Sequence, residues 1–125
     1  MDTQDHAQNR RIDAYIACWN EGDAARRATL AAEAFAEGAT YVDPMMRGEG
    51  REGIAAMIGA AQGHFPGHRF ARRGTVDSHH GLLRFCWSLA PASGEPAAEG
   101  TDIVRLAPDG RFAEVIGFLD SVRQG

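Results

Sequence analysis

The strongest structural signal in this 125-residue chain is the alternation of apolar and polar residues in FARRGTVDSHHGLLRFCWSLAPASGEPAAEGTDIVRLAPDGRFAEVIGFLD, residues 70–120. Period-two alternation is typical of strands with one buried face, and clusters of Gly, Pro, Asp and Ser mark the turns between them. Consecutive strands that are joined by short turns pair as antiparallel neighbours. The segment therefore predicts a four-stranded meander, with strands at 70–76, 82–89, 98–106 and 112–120.

Helical periodicity precedes this sheet. Apolar residues recur at i, i+3, i+4 and i+7 within residues 5–19, which predicts a first helix with one buried face. That face consists of Ile12, Tyr15, Ile16 and Trp19. Asp23 is a suitable N-cap for a second, alanine-rich helix, which we expect to include Phe35 and to end at Gly38.

A short strand and a third helix complete the pattern. Residues 39–43, ATYVD, predict a strand that ends before Pro44, because proline cannot continue a central ladder. Residues 46–53, MRGEGREG, predict a glycine-rich turn. The third amphipathic helix is marked by Ile54, Met57, Ile58 and Ala61. Helices grouped before a meander predict an α+β fold in which a curved antiparallel sheet over three helices leaves a hollow for a pocket.

Length and composition predict a single domain over residues 1–125. The hydrophobic fraction of 44% and the charged fraction of 24% favour a globular protein. A net charge of −4 gives no electrostatic reason to bind nucleic acid, and no apolar run is long enough for a signal sequence or a membrane helix. Cys18 and Cys86 lack CxxC spacing and predict buried free thiols. We expect a cytoplasmic protein of bacterial origin, with no nucleic-acid or membrane partner.

The most informative carboxylate is Asp102, which alternation places on one strand face with Val104 and Leu106. Two interpretations follow. In the first, desolvation raises the pKa of Asp102 and leaves a neutral acid that can donate a hydrogen bond. In the second, Asp102 lies near an open strand end and pairs with an arginine such as Arg84.

Two further residues have both a structural and a functional interpretation. Asp43 precedes Pro44, where an aspartate most often begins a turn; it could also be an ionised carboxylate at the pocket mouth and act as a general base. Tyr15 lies on the buried face of the first helix. It is either an ordinary core residue or a phenol directed at the pocket.

Motifs for metals, nucleotides and nucleophiles are not found in the sequence. His64 and His68 are four residues apart, but Pro66 and Gly67 would break the helix that could place both on one face. The GEGREG segment lacks the residues that complete a phosphate-binding loop, and no serine lies in a GxSxG elbow. The sequence therefore predicts no bound metal and no cofactor.

Four segments carry a resemblance to a known family. They are AYIACWNEGD (14–23), GATYVDPMMRGEGREGI (38–54), HFPGHRF (64–70) and EGTDIVRLAPDGRFAEVIGFLD (99–120). Together they resemble the nuclear-transport-factor-2-like superfamily, and within it the SnoaL-like and ketosteroid-isomerase-like branch. The resemblance implies a cone-shaped α+β fold, often dimeric, with a pocket for a small apolar organic molecule. Its members include isomerases, polyketide cyclases and non-catalytic binders, so the fold alone does not decide the activity.

The resemblance also implies roles for three residues. Tyr15 matches a tyrosine that donates to a developing oxyanion, Asp43 a general base, and Asp102 a second donor that an apolar site keeps protonated. These roles correspond to cofactor-free proton transfer next to a carbonyl. Arg47 or Arg51 could pair with Asp43 and weaken it as a base. The alternative function is a non-catalytic ligand-binding or dimerisation module, and in either case we expect a homodimer.

Overall fold

A computed structural model describes residues 3–122 of the chain. Three helices and six strands follow one another in these residues. They are α1 (Thr3–Asn20), α2 (Ala24–Ala34), β1 (Phe35–Val42), β2 (Arg47–Glu49), α3 (Gly50–His64), β3 (His68–His79), β4 (Leu82–Pro91), β5 (Ala98–Leu106) and β6 (Phe112–Val122). The predicted α+β class and the order of helices before a meander are confirmed.

The six strands form one curved, open sheet in the order β2-β1-β6-β5-β4-β3. Strands β3 to β6 are the predicted antiparallel meander. The prediction of a wholly antiparallel sheet is wrong in one place, because β1 pairs with β6 in parallel. The chain forms α3 and four strands between β1 and β6, and such a long connection allows the two to run in the same direction.

The helices cover one face of the sheet, and the core lies between the two layers. Tyr15 of α1 is at its centre, with 2% of its surface exposed. The centroid of its ring lies 5.7 Å from that of Phe35, 5.8 Å from Phe85 and 5.3 Å from Phe112. Burial of aromatic groups at this scale stabilises a fold by roughly 1.5–3 kcal/mol for each side chain. This packing fixes α1 against the sheet and so fixes the position of the Tyr15 hydroxyl.

The second helix is shorter than predicted. It ends at Ala34, and Phe35 begins β1 with extended backbone angles (φ −107°, ψ 141°). Phe35 is fully buried and pairs with Phe112 of β6, so tertiary packing overrides the helical preference of the preceding alanines. Gly38, predicted to end the helix, instead has φ +76° at the irregularity in the pairing of β1 with β6.

Three smaller expectations also differ from the structure. The predicted turn at 46–53 contains the three-residue strand β2, which pairs with β1, and the start of α3. The β3–β4 turn consists of His80 and Gly81 alone, with φ values of +50° and +77°, typical of a tight hairpin. Cys86 is half-buried rather than buried, because its side chain lies on the outer face of β4.

The two faces of β4 have different environments. Leu83, Phe85 and Leu89 are buried towards the helices, whereas Arg84 on the alternate set is exposed. Phe118 of β6 also lies outside and is 54% exposed. A homodimer that covers this outer face stays a prediction. No helix in residues 3–122 is long and apolar enough to cross a membrane.

Candidate functional site

A cavity of about 120 Å³ lies between the helices and the concave side of the sheet. The three residues singled out from the sequence, Tyr15, Asp43 and Asp102, all line it. The rest of its wall is apolar or aromatic, apart from the hydroxyl of Tyr41 and the indole N–H groups. The structure therefore brings together in one place side chains that come from α1, from the end of β1 and from the middle of β5.

Asp102 and Tyr15 form the deepest polar contact of the cavity. The Tyr15 hydroxyl donates to Asp102 Oδ2 at 2.7 Å, and 2% of the Asp102 surface is exposed. The predicted alternation of β5 is observed, since Asp102 and Val104 are buried and Arg105 is exposed. The alternative pairing of Asp102 with Arg84 is wrong, because Arg84 lies on the outer face and pairs with Asp77.

Trp87 is a second donor to Asp102 that was not predicted from the sequence. Its indole Nε1 donates to Asp102 Oδ1 at 3.2 Å. Trp87 pairs with Gly100 across β4 and β5, and a Cβ atom at Gly100 would overlap the Trp87 ring and lie 2.6 Å from the carbonyl oxygen of Phe118. Glycine in a strand often marks such a close approach, so Gly100 was an available signal.

The environment of Asp102 raises the pKa of its carboxyl group. Burial raises its pKa from the ordinary value of 3.8 to about 6; the hydrogen bonds from Tyr15 and Trp87 oppose the rise, and the negative charge of Asp43 adds to it. Burial also raises the pKa of Tyr15 well above its ordinary value, and the charge of Asp102 adds to this effect. Tyr15 therefore remains a hydrogen-bond donor at any physiological pH.

Asp43 lies just after β1 at the mouth of the cavity and is half-buried. Its Oδ1 accepts hydrogen bonds from the backbone amides of Met45 and Met46 at 2.8 and 2.9 Å, and its Oδ2 accepts one from the Tyr41 hydroxyl at 2.6 Å. These three donors hold the Asp43 carboxylate in one orientation. The turn interpretation of Asp43 and its location at the pocket mouth are thus both observed.

The two arginines that could have paired with Asp43 do not do so. Arg47 pairs with Glu49 at 3.3 Å, and the side chain of Arg51 donates to the carbonyl oxygen of Phe35 at 2.9 Å. The donor to Asp43 that sequence analysis missed is Tyr41, whose pKa is raised by burial first and also by the charges of Asp102 and Asp43. Alternation in ATYVD puts Tyr41 and Asp43 on the same strand face, so the sequence contained the signal.

Gly117 of β6 separates the two carboxylates. It pairs with Asp102 across β5 and β6. A Cβ atom at Gly117 would lie 3.0 Å from Asp102 Oδ1, 3.1 Å from Asp43 Cβ and 3.4 Å from the Tyr41 hydroxyl oxygen. Alanine at this position would therefore require the side chains of Asp102 and Asp43 to shift by a few tenths of an ångström.

The polar side chains that face the cavity are proton donors and acceptors. Within residues 3–122, no three His, Cys, Asp or Glu side chains converge as metal ligands do. Cys18 is buried outside this cavity, and its burial raises the pKa of the thiol to about 11. An ionised carboxylate and a buried carboxyl–phenol pair, facing one apolar cavity, can accept a proton on one side and donate hydrogen bonds on the other.

Comparisons with known proteins agree with this architecture. A crystal structure of a proposed isomerase of the SnoaL-like family from Agrobacterium tumefaciens is 47% identical, with a TM-score of 0.87 over 93% of this chain and 99% of that one. A SnoaL-like protein of unknown function from Burkholderia thailandensis is 16% identical, with a TM-score of 0.71 over 97% of this chain and 99% of the other. At 16% identity, the likeness to the Burkholderia protein concerns the fold alone.

A third structure, a proposed SnoaL-like polyketide cyclase from Jannaschia, is 18% identical, with a TM-score of 0.66 over 90% of this chain and 86% of that one. A comparison with curated proteins found no match. The sequence model of the SnoaL-like domain matches residues 12–115, which include Tyr15, Asp43 and Asp102. This chain therefore belongs to the SnoaL-like family.

Proposed function

We propose that this protein is an isomerase- or cyclase-type enzyme that moves a proton on a carbon next to a carbonyl group, without a cofactor. One observation supports this most directly: Asp43 and the Tyr15–Asp102 pair face the same apolar cavity from the two sides of Gly117. The A. tumefaciens relative, itself a proposed isomerase, supports the same class of reaction.

In this proposal Asp43 is the base. It removes a proton from the carbon next to the carbonyl and returns it to another carbon of the same conjugated system, so that the double bond moves. The backbone amides of Met45 and Met46 and the Tyr41 hydroxyl hold the carboxylate in place. A positioned base of this kind accelerates proton transfer by typically 10²–10⁴-fold.

Tyr15 and Asp102 stabilise the oxygen of the enolate that forms. With a pKa of about 6, Asp102 is protonated in a fraction of the molecules at neutral pH, and negative charge developing on the substrate oxygen increases that fraction. The protonated carboxyl then donates to the substrate, while Trp87 and Tyr15 keep it oriented. Preorganised donors in a water-poor site stabilise such charge more strongly than water does.

The second candidate is a non-catalytic binding module. It is supported by the same three hydrogen bonds to Asp43, because an aspartate that stabilises the loop between β1 and β2 needs no catalytic role. In that case the cavity would bind its ligand unchanged.

The test measures exchange and binding separately. Hydrogen–deuterium exchange at C6 and C4 of 2-cyclohexenone, the saturated carbons from which an enolate can form, is followed by NMR. The affinity of the compound is measured by calorimetry, for the wild type, Asp43→Asn and Tyr15→Phe. We expect Asp43→Asn to retain binding and to lose exchange by at least about 100-fold. Tyr15→Phe should also lower exchange, because it removes the hydroxyl that donates to Asp102 Oδ2 and orients it. Binding with no Asp43-dependent exchange would favour the binding module.

A further inference from the structure

The electrostatics of the cavity wall restrict its ligand. Among the described residues, the lining contains two carboxylates and no basic side chain. Two arginines of the neighbouring helices are engaged elsewhere: Arg27 donates to the carbonyl oxygen of Glu21 at 3.0 Å, and Arg51 to that of Phe35. An anionic group inside the cavity would therefore lie beside Asp43 without a counter-ion. Burial of an unpaired charge is strongly unfavourable, so the part of the substrate inside the cavity must be uncharged.

The shape of the wall favours a flat ligand. Four aromatic rings follow one another along the cavity, with centroid distances of 5.5 Å from Tyr41 to Trp19, 5.1 Å from Trp19 to Phe70 and 5.4 Å from Phe70 to Trp87. All four line the cavity. Planar conjugated rings pack against aromatic side chains in offset or edge-to-face arrangements. Such a wall suits a ring that becomes more conjugated as an enolate forms.

The size of the cavity limits the ligand further. A cavity of about 120 Å³ is close to the ~150 Å³ that binds benzene, and lies below the ~300 Å³ at which pockets for drug-sized ligands begin. A separate groove along α3 shares Met45, Met46 and Ala61 with the cavity and also contains Met57. The side chain of Met46 is half-buried at this boundary. Met46 therefore lies between the cavity and the groove.

We infer that the substrate is a neutral, single-ring carbonyl compound such as a cyclic enone, and that Met46 excludes fused-ring relatives. This inference rests on the proposed function for the reactive carbonyl, but its charge and size limits concern binding and can be tested without turnover.

The charge limit is tested with two ligands of the same ring size, 2-cyclohexenone and 1-cyclohexene-1-carboxylate. Both tryptophans of the chain line the cavity, so ligand binding is followed by intrinsic fluorescence and checked by calorimetry. Two charges about 6 Å apart at an effective dielectric constant near 20 predict that the carboxylate binds about 100-fold more weakly than the ketone. Asp43→Asn should reduce this discrimination, measured as the ratio of the two affinities in the same variant. Equal affinities in the wild type would overturn the charge limit.

The size limit is tested with a two-ring octalone and a four-ring steroid enone. We expect both to bind the wild type at least about tenfold more weakly than 2-cyclohexenone, since an overfilled cavity forces its walls apart. Met46→Ala should restore octalone binding, whereas Met57→Ala, which removes the same atoms from the groove, should not. A steroid that binds more tightly than cyclohexenone would overturn the inference, as would failure of cyclohexenone to bind at millimolar concentration. Binding without exchange would instead refute the proposed function alone.

Discussion

Replacing Asp102 with asparagine should change how the stability of the protein depends on pH. Asp102 is 2% exposed, and burial is the main reason that its pKa rises to about 6. Because the folded state prefers the neutral acid, it binds a proton at pH values where the unfolded chain has already released one. The free energy of unfolding therefore falls as the pH rises from about 4 to about 6.

The size of this effect follows from the two pKa values. Each tenfold change in a protonation equilibrium corresponds to about 1.4 kcal/mol, so a rise from 3.8 to about 6 makes the folded state about 3 kcal/mol less stable above pH 6 than at pH 4. Asparagine has nearly the same shape and does not titrate. It can still accept a hydrogen bond from the Trp87 N–H and form one with the Tyr15 hydroxyl. The loss of stability with rising pH should therefore be absent in Asp102→Asn.

The measurement is urea unfolding of the wild type and Asp102→Asn at half-unit steps between pH 4 and pH 8. The difference between the two free energies of unfolding should change by about 3 kcal/mol in favour of the variant over this range, with its midpoint between pH 4 and pH 6. Asp13→Asn, at an exposed position on α1, serves as a matched control and should give a nearly parallel curve. Parallel curves for Asp102→Asn as well would refute the argument that burial keeps this carboxyl neutral.

Two further predictions concern the neighbours of Asp102. Trp87→Phe removes the indole donor to Asp102 Oδ1. Because this hydrogen bond stabilises the ionised carboxylate, its loss should raise the pKa of Asp102 by about one pH unit, measured from the ¹³C shift of the carboxyl carbon. An unchanged titration midpoint of Asp102 would exclude that bond. Gly117→Ala places a methyl group against Asp102 and Asp43 and should lower the free energy of unfolding by about 1–3 kcal/mol. Gly63→Ala is the control and should not lower it, because a Cβ atom at Gly63 would have nothing within 4 Å. Equal stabilities of the two variants would contradict the close approach at Gly117.

Periodicity predicted the elements whose burial repeats along the sequence. Spacing along α1 put Tyr15 on its buried face, and alternation along β5 put Asp102 on the concave side of the sheet. The failure at Phe35 has a different origin. The alanines before it favour a helix locally, but the strand conformation of Phe35 depends on its contact with Phe112, 77 positions further along the chain. Interactions at such separations leave no local pattern in the sequence.

The site residues that were not predicted also differ in whether their position follows from local periodicity or from contacts between distant parts of the chain. Tyr41 lies two residues before Asp43, and alternation alone would have put both on one face. Trp87 of β4 contacts Asp102 of the adjacent strand β5 in a diagonal position, so its role depends on the register between the two strands. A period of two cannot supply that register, because each strand has the same alternation at any even shift. Gly100 was the one local indication that a neighbouring side chain crosses the strand there.

The two carboxylates differ in environment rather than in type, and this difference supports a division of roles. Asp43 is half-buried at the cavity mouth and accepts hydrogen bonds from two backbone amides, which orient its carboxylate. Asp102 is buried in the wall, where desolvation favours its proton, and the charge on Asp43 raises its pKa further. The two environments therefore suit one base and one acid facing the same cavity, as the proposed proton transfer next to a carbonyl requires.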